Sequence, residues 1–267
     1  MIRRINDRGI TLVIVEHVIR AITALSSRIV VLDQGRVVAV DDVTLQVDRG
    51  EILGLVGPNG SGKSTLINLL SGFYPADKGL VVFDGNDVGE LAAHRIAALG
   101  IARTFQIPRP FHTMTPRENI AVSYMFGRSP HNLVEARAAA EEWLAFTGLA
   151  SVADVGVDQL TLHQLKFLEL ARALATHPTL LLLDEVLAGL NPTEINQSME
   201  MIRRINDRGI TLVIVEHVIR AITALSSRIV VLDQGRVVAT GEPREVMSDP
   251  AVVAAYLGTK KRRDAPG

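Results

Sequence analysis

The run Gly57-Pro58-Asn59-Gly60-Ser61-Gly62-Lys63-Ser64-Thr65 places glycines, a lysine and two hydroxyls in the order G-x-x-x-x-G-K-[ST]. Glycines at 57, 60 and 62 let the backbone curl with its N–H groups pointing inward, a nest for phosphate oxygens. A helix starting just beyond adds the positive end of its dipole. In such a loop Lys63 reaches the β- and γ-phosphates, and Ser64 offers its hydroxyl to Mg²⁺. An apolar run, Ile52 to Val56, precedes the loop and a helix-like run, Thr65 to Leu70, follows it. An idle Gly-rich turn has no need of that strand–loop–helix setting. The segment implies binding of a nucleoside triphosphate through Gly57, Pro58, Asn59, Gly60, Ser61, Gly62, Lys63, Ser64 and Thr65.

A second constellation is Leu180-Leu181-Leu182-Leu183-Asp184-Glu185. The leucines make a buried strand, and the carboxylates emerge at its C-terminal end, where ligands bind in open α/β sheets. Asp184 is placed to hold Mg²⁺, directly or through water, and Glu185 to take a proton from an attacking water. An acidic helix cap would use the same letters, but the phosphate loop favours metal and water chemistry.

These groups need a scaffold of alternating strands and helices. Val37 to Val47 alternates like a strand, Ile52 to Val56 reads as a buried one, and Leu80 to Phe83 with Asp84-Gly85-Asn86 suggests an edge hairpin. Leu91 to Leu99 reads as a short helix, residues 100–106 as a strand, 107–118 as irregular and 119–149 as helical, with Trp143 and Leu144 on one face. Helices are expected over Leu165 to Ala175 and Glu194 to Asn206, a strand over Thr211 to Val215, and a hairpin around Asp233-Gln234-Gly235. The alternation predicts an α/β fold: a phosphate-loop core with a mainly parallel sheet, an antiparallel β subdomain, and an inserted helical subdomain at about 107–165.

Composition sets the limits. The chain has 267 residues, 48% hydrophobic and 21% charged, enough for a packed core. A net charge of −1 argues against nucleic acid as a partner, and the lack of cysteine excludes disulfides and thiolate metal sites. The most apolar stretch, Ile210 to Leu232, is broken by Glu216, His217, Arg220 and Arg228, so membrane association is expected to come through a partner. Asp7, Arg8 and Glu16 spoil the start as a secretory signal. Lys260-Lys261-Arg262-Arg263 reads as a solvated tail, 259–267.

Residues 1–39 repeat residues 201–239 letter for letter, and the match breaks at Val40 against Thr240. A solenoid repeat would be shorter and would have drifted. A perfect copy points instead to a recent recombination or a sequence artefact. The copy at 201–239 is expected to be the native one. The sheet has one slot for Thr211 to Val215, and the second copy, tethered to the helix before it, closes the shorter loop. Met1 to Ser27 is then expected to form a loosely docked helix or to invite domain swapping, and Arg28 to Ala39 an edge hairpin.

From about residue 40 to 258 the chain resembles the ATP-binding subunit of ABC transporters. The resemblance makes Gln106 the glutamine that helps place Mg²⁺ and water and couples to the membrane subunits. It makes Ala188-Gly189-Leu190-Asn191 the D-loop and His217 the switch histidine that contacts the γ-phosphate. The signature loop, normally Leu-Ser-Gly-Gly-Gln, falls on Leu160-Thr161-Leu162-His163-Gln164. Thr161 keeps a hydroxyl for ATP on an opposite protomer and Gln164 keeps the last position, while Leu162 and His163 replace both glycines. Val186 stands in place of a proline, and the aromatic that stacks adenine is absent from residues 30–38.

Within the family the likeness is greatest to branched-chain amino-acid importers, through Ala102-Arg103-Thr104-Phe105-Gln106, Met114-Thr115-Pro116-Arg117-Glu118-Asn119, Val215-Glu216-His217 and Ala255-Tyr256-Leu257-Gly258. It also extends to urea and amide importers. The resemblance implies ATP and Mg²⁺ as cofactors and Glu185, His217, Gln106 and Lys63 as catalytic residues. Its implied partners are transmembrane permease subunits, a second ATP-binding subunit in a homo- or heterodimer, and indirectly a periplasmic or extracellular solute-binding protein. Its place is the cytoplasmic face of the inner membrane, as a peripheral ATPase. The altered signature loop raises an alternative, an ATP-binding subunit of little turnover that pairs with a more active one.

Overall fold

The computed structural model describes residue 40 and residues 43–128 and 132–257. The first copy of the repeat, with its expected helix and hairpin, lies outside the described residues, as do the stretch 30–38 that lacks the expected aromatic, Gly258 and the basic tail.

The elements follow one another as β1 (Ile52–Val56), α1 (Lys63–Leu70), β2 (Val82–Phe83), β3 (Asn86–Asp87), α2 (Ala93–Leu99) and β4 (Ile101–Arg103). Then come α3 (Pro116–Met125), α4 (Leu133–Thr147), α5 (Leu162–Ala175), β5 (Leu180–Asp184), α6 (Pro192–Asp207) and β6 (Thr211–Val215). The chain continues through α7 (Ile219–Leu225), β7 (Arg228–Asp233), β8 (Arg236–Gly241), α8 (Pro243–Ser248) and α9 (Pro250–Leu257).

The main sheet runs β4-β5-β6-β1-β7-β8, with every pair parallel except β7 with β8. Helices cover both faces, and the central strands β1, β5 and β6 are buried along their whole length because neither of their faces meets water. Along β5, Leu181 and Leu183 join the core under the helical insertion, while Leu180 and Leu182 join the one around α1. β6 divides the same way, Leu212 and Ile214 to the first core and Val213 and Val215 to the second. Burying each of these side chains stabilises the fold by about 2 kcal/mol. A third cluster, Val56, Ile222, Ile229, Val231, Val246 and Val252, ties the end of β1 to α8 and α9.

The copy at 201–239 supplies β6, α7 and β7, so Thr211 to Val215 occupies the centre of the sheet. Val43, Leu45 and Val47 are buried while Thr44 and Asp48 are exposed, but no strand is assigned there among the described residues. Alternation reports one buried face; a strand also needs a ladder. Of the expected antiparallel subdomain, the described residues show the β2–β3 hairpin, turned by Asp84 and Gly85 at φ 46° and 79°.

The helical stretch expected over 119–149 is two helices, and the first begins inside the segment read as irregular. Thr115 and Glu118 close a capping box with Pro116 at the first turn, which starts α3, and the Asn132 side chain accepts from the Glu135 N–H to start α4. α5 and α6 also start two or three residues before their expected positions, each behind a capping box, Thr161 with Gln164 and Asn191 with Glu194. Trp143 and Leu144 are buried as their spacing predicted. The Trp143 ring meets Phe146 edge-on at 5.6 Å, and the Arg208 guanidinium lies 5.1 Å above it, which joins α4 to the end of α6. Among the described residues no helix is long and apolar enough to cross a membrane.

Candidate active site

The phosphate loop leaves the central strand and closes on the N-terminus of α1. Gly57, Gly60 and Gly62 have φ of 149°, 78° and 108°, values that side-chain-bearing residues rarely adopt. A Cβ on Gly57 would lie 2.0 Å from the Leu232 carbonyl oxygen, so nothing larger fits. Pro58, Asn59 and Gly60 form the open rim, and Ser61 is buried. Ser64 is exposed and Thr65 half-buried at the start of α1. Lys63 is 5% exposed and donates to the carbonyls of Gly57 at 2.8 Å and Pro58 at 2.9 Å. Burial lowers its pKa, against the pull of the Glu185 and Asp184 carboxylates.

The ends of three neighbouring strands bring Gln106, Glu185 and His217 together. Glu185 Oε1 lies 2.8 Å from His217 Nε2, and Oε2 accepts from the Gln106 side-chain amide at 2.5 Å. Gln106 lies three residues past β4, beyond the strand expected to end on it, and this extension lets it reach Glu185. Glu185 is held at φ 50°, in the left-handed region, which costs roughly 1–3 kcal/mol for such a residue. Its N–H donates to the Val215 carbonyl at 2.9 Å, and its carbonyl accepts from Lys166 Nζ at 3.0 Å. Backbone and carboxylate are therefore both fixed before any substrate arrives.

Asp184 is 5% exposed, and burial raises its pKa while Arg103, 3.6 Å away, draws it back. Its N–H donates to Thr104 Oγ1. Asp184, Ser64 and Gln106 offer hard oxygen donors, the set that suits Mg²⁺ completed by phosphate oxygens and water. Among the described residues no group of three or more His, Cys, Asp or Glu could hold a metal by itself. The glycine cradle around Lys63 likewise fits a triphosphate.

The ABC transporter family model matches residues 40–188, more than half of the chain, and a model of branched-chain amino acid ATP-binding cassette transporters matches residues 236–261. The chain belongs to the ABC transporter ATP-binding family. It is 35% identical over 241 residues to the high-affinity branched-chain amino acid transport ATP-binding protein BraF of Pseudomonas aeruginosa, covering 84% of this chain and 93% of the relative. A probable branched-chain amino acid transport ATP-binding protein LivG of Archaeoglobus fulgidus is 37% identical over 232 residues, covering 83% and 90%. Among solved structures, the ADP conformation of an ATP-binding cassette of an ABC transporter superposes with a TM-score of 0.75 at 31% identity, covering 87% of this chain and 97% of that one. None of these likenesses supports the alternative of a low-turnover subunit.

Other motifs of this ABC cassette lie apart from the cluster. Thr161 caps α5: its hydroxyl accepts from the Gln164 N–H at 3.2 Å, and the Gln164 side chain accepts from the Thr161 N–H at 2.9 Å. Both therefore bond to each other rather than to their own chain's phosphate loop. Leu162 is 44% exposed, and one of its methyls lies 3.1 Å from where a Cβ on Gly189, in the loop before α6, would stand. His163 turns its ring onto Phe167, 4.3 Å between centroids, in a cleft shared with Phe146 and Met201.

Three buried charges escaped the sequence reading. Glu216 is 2% exposed, accepts from the Leu187 N–H at 2.7 Å, and is pushed up to about 7, mainly by burial. Lys166 backs Glu185, and Glu169 accepts from the N–H groups of Phe105 and Arg109, which shapes the segment around Gln106. The available signal was a charge inside an apolar run: Glu216 follows Thr211 to Val215 directly.

Proposed function

We propose that the chain binds and hydrolyses ATP and drives an importer of branched-chain amino acids or related small polar solutes. The carrying observation is Glu185 fixed between Gln106 and His217, on the strand end beside Lys63 and Asp184. Lys63 would exchange its loop carbonyls for β- and γ-phosphate oxygens, and the loop N–H groups would hold the rest of the triphosphate. Mg²⁺, held by Ser64 and Asp184 with Gln106, would neutralise charge on the transferred phosphoryl group. Glu185 would accept the proton of the attacking water, while His217 and Lys63 stabilise the developing charge.

The exposed Thr161 and half-buried Gln164 support a dimer in which each signature loop faces the partner's phosphate loop. That partner would be a second copy or a related ATP-binding subunit. Transmembrane permease subunits would hold the pair at the cytoplasmic face of the inner membrane, and a solute-binding protein would act through them. The names of the relatives, all branched-chain amino acid transport proteins, support the solute class.

The test is light scattering on Glu185→Gln with and without MgATP, beside phosphate release by the unaltered chain. The substitution is expected to lower turnover by about a hundredfold or more and to trap an ATP-dependent dimer. A chain that stays monomeric at saturating MgATP, alone and with the related subunit, would exclude the paired motor.

A further inference from the structure

The last described helix reaches back to the first residue of the phosphate loop. Tyr256 on α9 accepts a hydrogen bond from the Gly57 N–H, 2.8 Å to the phenol oxygen, between residues 199 apart in sequence. Gly57 is buried, and its carbonyl accepts from Lys63. The residue is thus held at both ends, by a phenol at its N–H and by the lysine at its carbonyl. Farther along the loop, the Gly235 N–H in the β7–β8 turn donates to the Ser61 carbonyl at 2.9 Å. The Tyr256 ring packs on the third apolar cluster, which contains Val56, the residue just before the loop. Burial raises the phenol pKa, so it remains neutral at physiological pH.

We propose that Tyr256 is a positioning residue of the nucleotide site, through which docking of α9 and binding of nucleotide are linked. The reason lies in Gly57. A buried N–H that loses its acceptor carries a desolvation penalty, and the peptide must turn to find another partner. With Gly57 the turn would carry the carbonyl that holds Lys63 and the start of the loop whose N–H groups must face phosphate. Tyr256 keeps that loop pre-organised, so less ordering is left to binding. Linkage makes the effect mutual: if the docked helix favours nucleotide, nucleotide favours the docked helix. The inference rests on the nucleotide-binding reading and adds to it a residue outside the loop.

The experiment uses the full chain and MgADP, which avoids turnover. Calorimetric titration gives Kd, and hydrogen exchange follows the amides of α9 with and without nucleotide. Tyr256→Phe keeps the ring and removes the oxygen. Its Kd is expected to rise about threefold to tenfold, the scale of one hydrogen bond to a buried group. MgADP is expected to slow exchange in α9 of the unaltered chain but not of the variant. A Kd within twofold of the parent, whatever the change in Tm, overturns the proposal and leaves Tyr256 a purely structural contact. Should Tyr256→Phe fail to fold, Val252→Ala keeps the phenol, loosens α9 on the cluster, and is expected to weaken MgADP likewise; unaltered affinity there overturns the linkage. An unaltered chain that does not bind MgADP overturns the nucleotide reading, and this inference with it.

Discussion

Glu216 is one residue from His217, yet it faces inward, where Lys166 is the opposing charge that acts on it. Its folded pKa of about 7 lies above its ordinary 4.5, so the folded chain binds that proton more tightly than the unfolded one. The stability it contributes is whole below its unfolded pKa and is lost as pH rises through about 7. At roughly 1.4 kcal/mol per pKa unit the loss amounts to about 3 kcal/mol. Glu216→Gln keeps an acceptor for the Leu187 N–H and cannot ionise. Its Tm is expected to fall less between pH 5 and pH 8 than that of the parent; parallel curves in calorimetry would assign the slope to other groups. At this scale the sequence was most readable where chemistry fixes spacing. Gly57 to Thr65 and Asp184-Glu185 could be read because their neighbours along the chain define them. Tyr256 and Lys166 could not, because what defines them is burial and a partner on another element. Along the chain Tyr256 is one letter of a motif, and only the fold sets it against the Gly57 N–H.

Helix starts teach the same lesson one level up. The expected starts of α3, α5 and α6 fall two or three residues late, whereas each helix begins at a capping box in front of them. The pairs Thr115 with Glu118, Thr161 with Gln164 and Asn191 with Glu194 were all visible at the required spacing. For α5 the consequence reaches the proposed dimer, in which the cap residue would also be the hydroxyl offered to the partner's nucleotide. Thr161→Ala is expected to cost about 1 kcal/mol and to lower Tm by about 2–4 °C, and to weaken the ATP-dependent dimer as well. Thermal unfolding followed by circular dichroism measures the first effect; an unchanged Tm would show that the cap adds nothing. The strands were easier to read than the helix starts, since β1, β5 and β6 are buried on both faces and carry unbroken apolar runs. The exception, Val43 to Val47, has the alternation of a strand without a ladder among the described residues.

For the molecule as a whole, the duplication is the unusual feature. The sheet draws β6 and β7 from the second copy, and His217 of that copy lies 2.8 Å from Glu185. His217→Ala is expected to lower ATPase turnover about a hundredfold or more, and His17→Ala to leave it within twofold of the parent. Phosphate release by the two variants checks this, and the opposite ranking would give the slot to the first copy. One further consequence comes from the helical insertion. The chain has a single tryptophan, 5% exposed, with Phe146 at its edge and the Arg208 guanidinium over its face. Its emission is therefore a label-free optical gauge of the joint between α4 and the end of α6. Stopped-flow fluorescence could time movement at that joint during a catalytic cycle, with no dye attached and no residue exchanged.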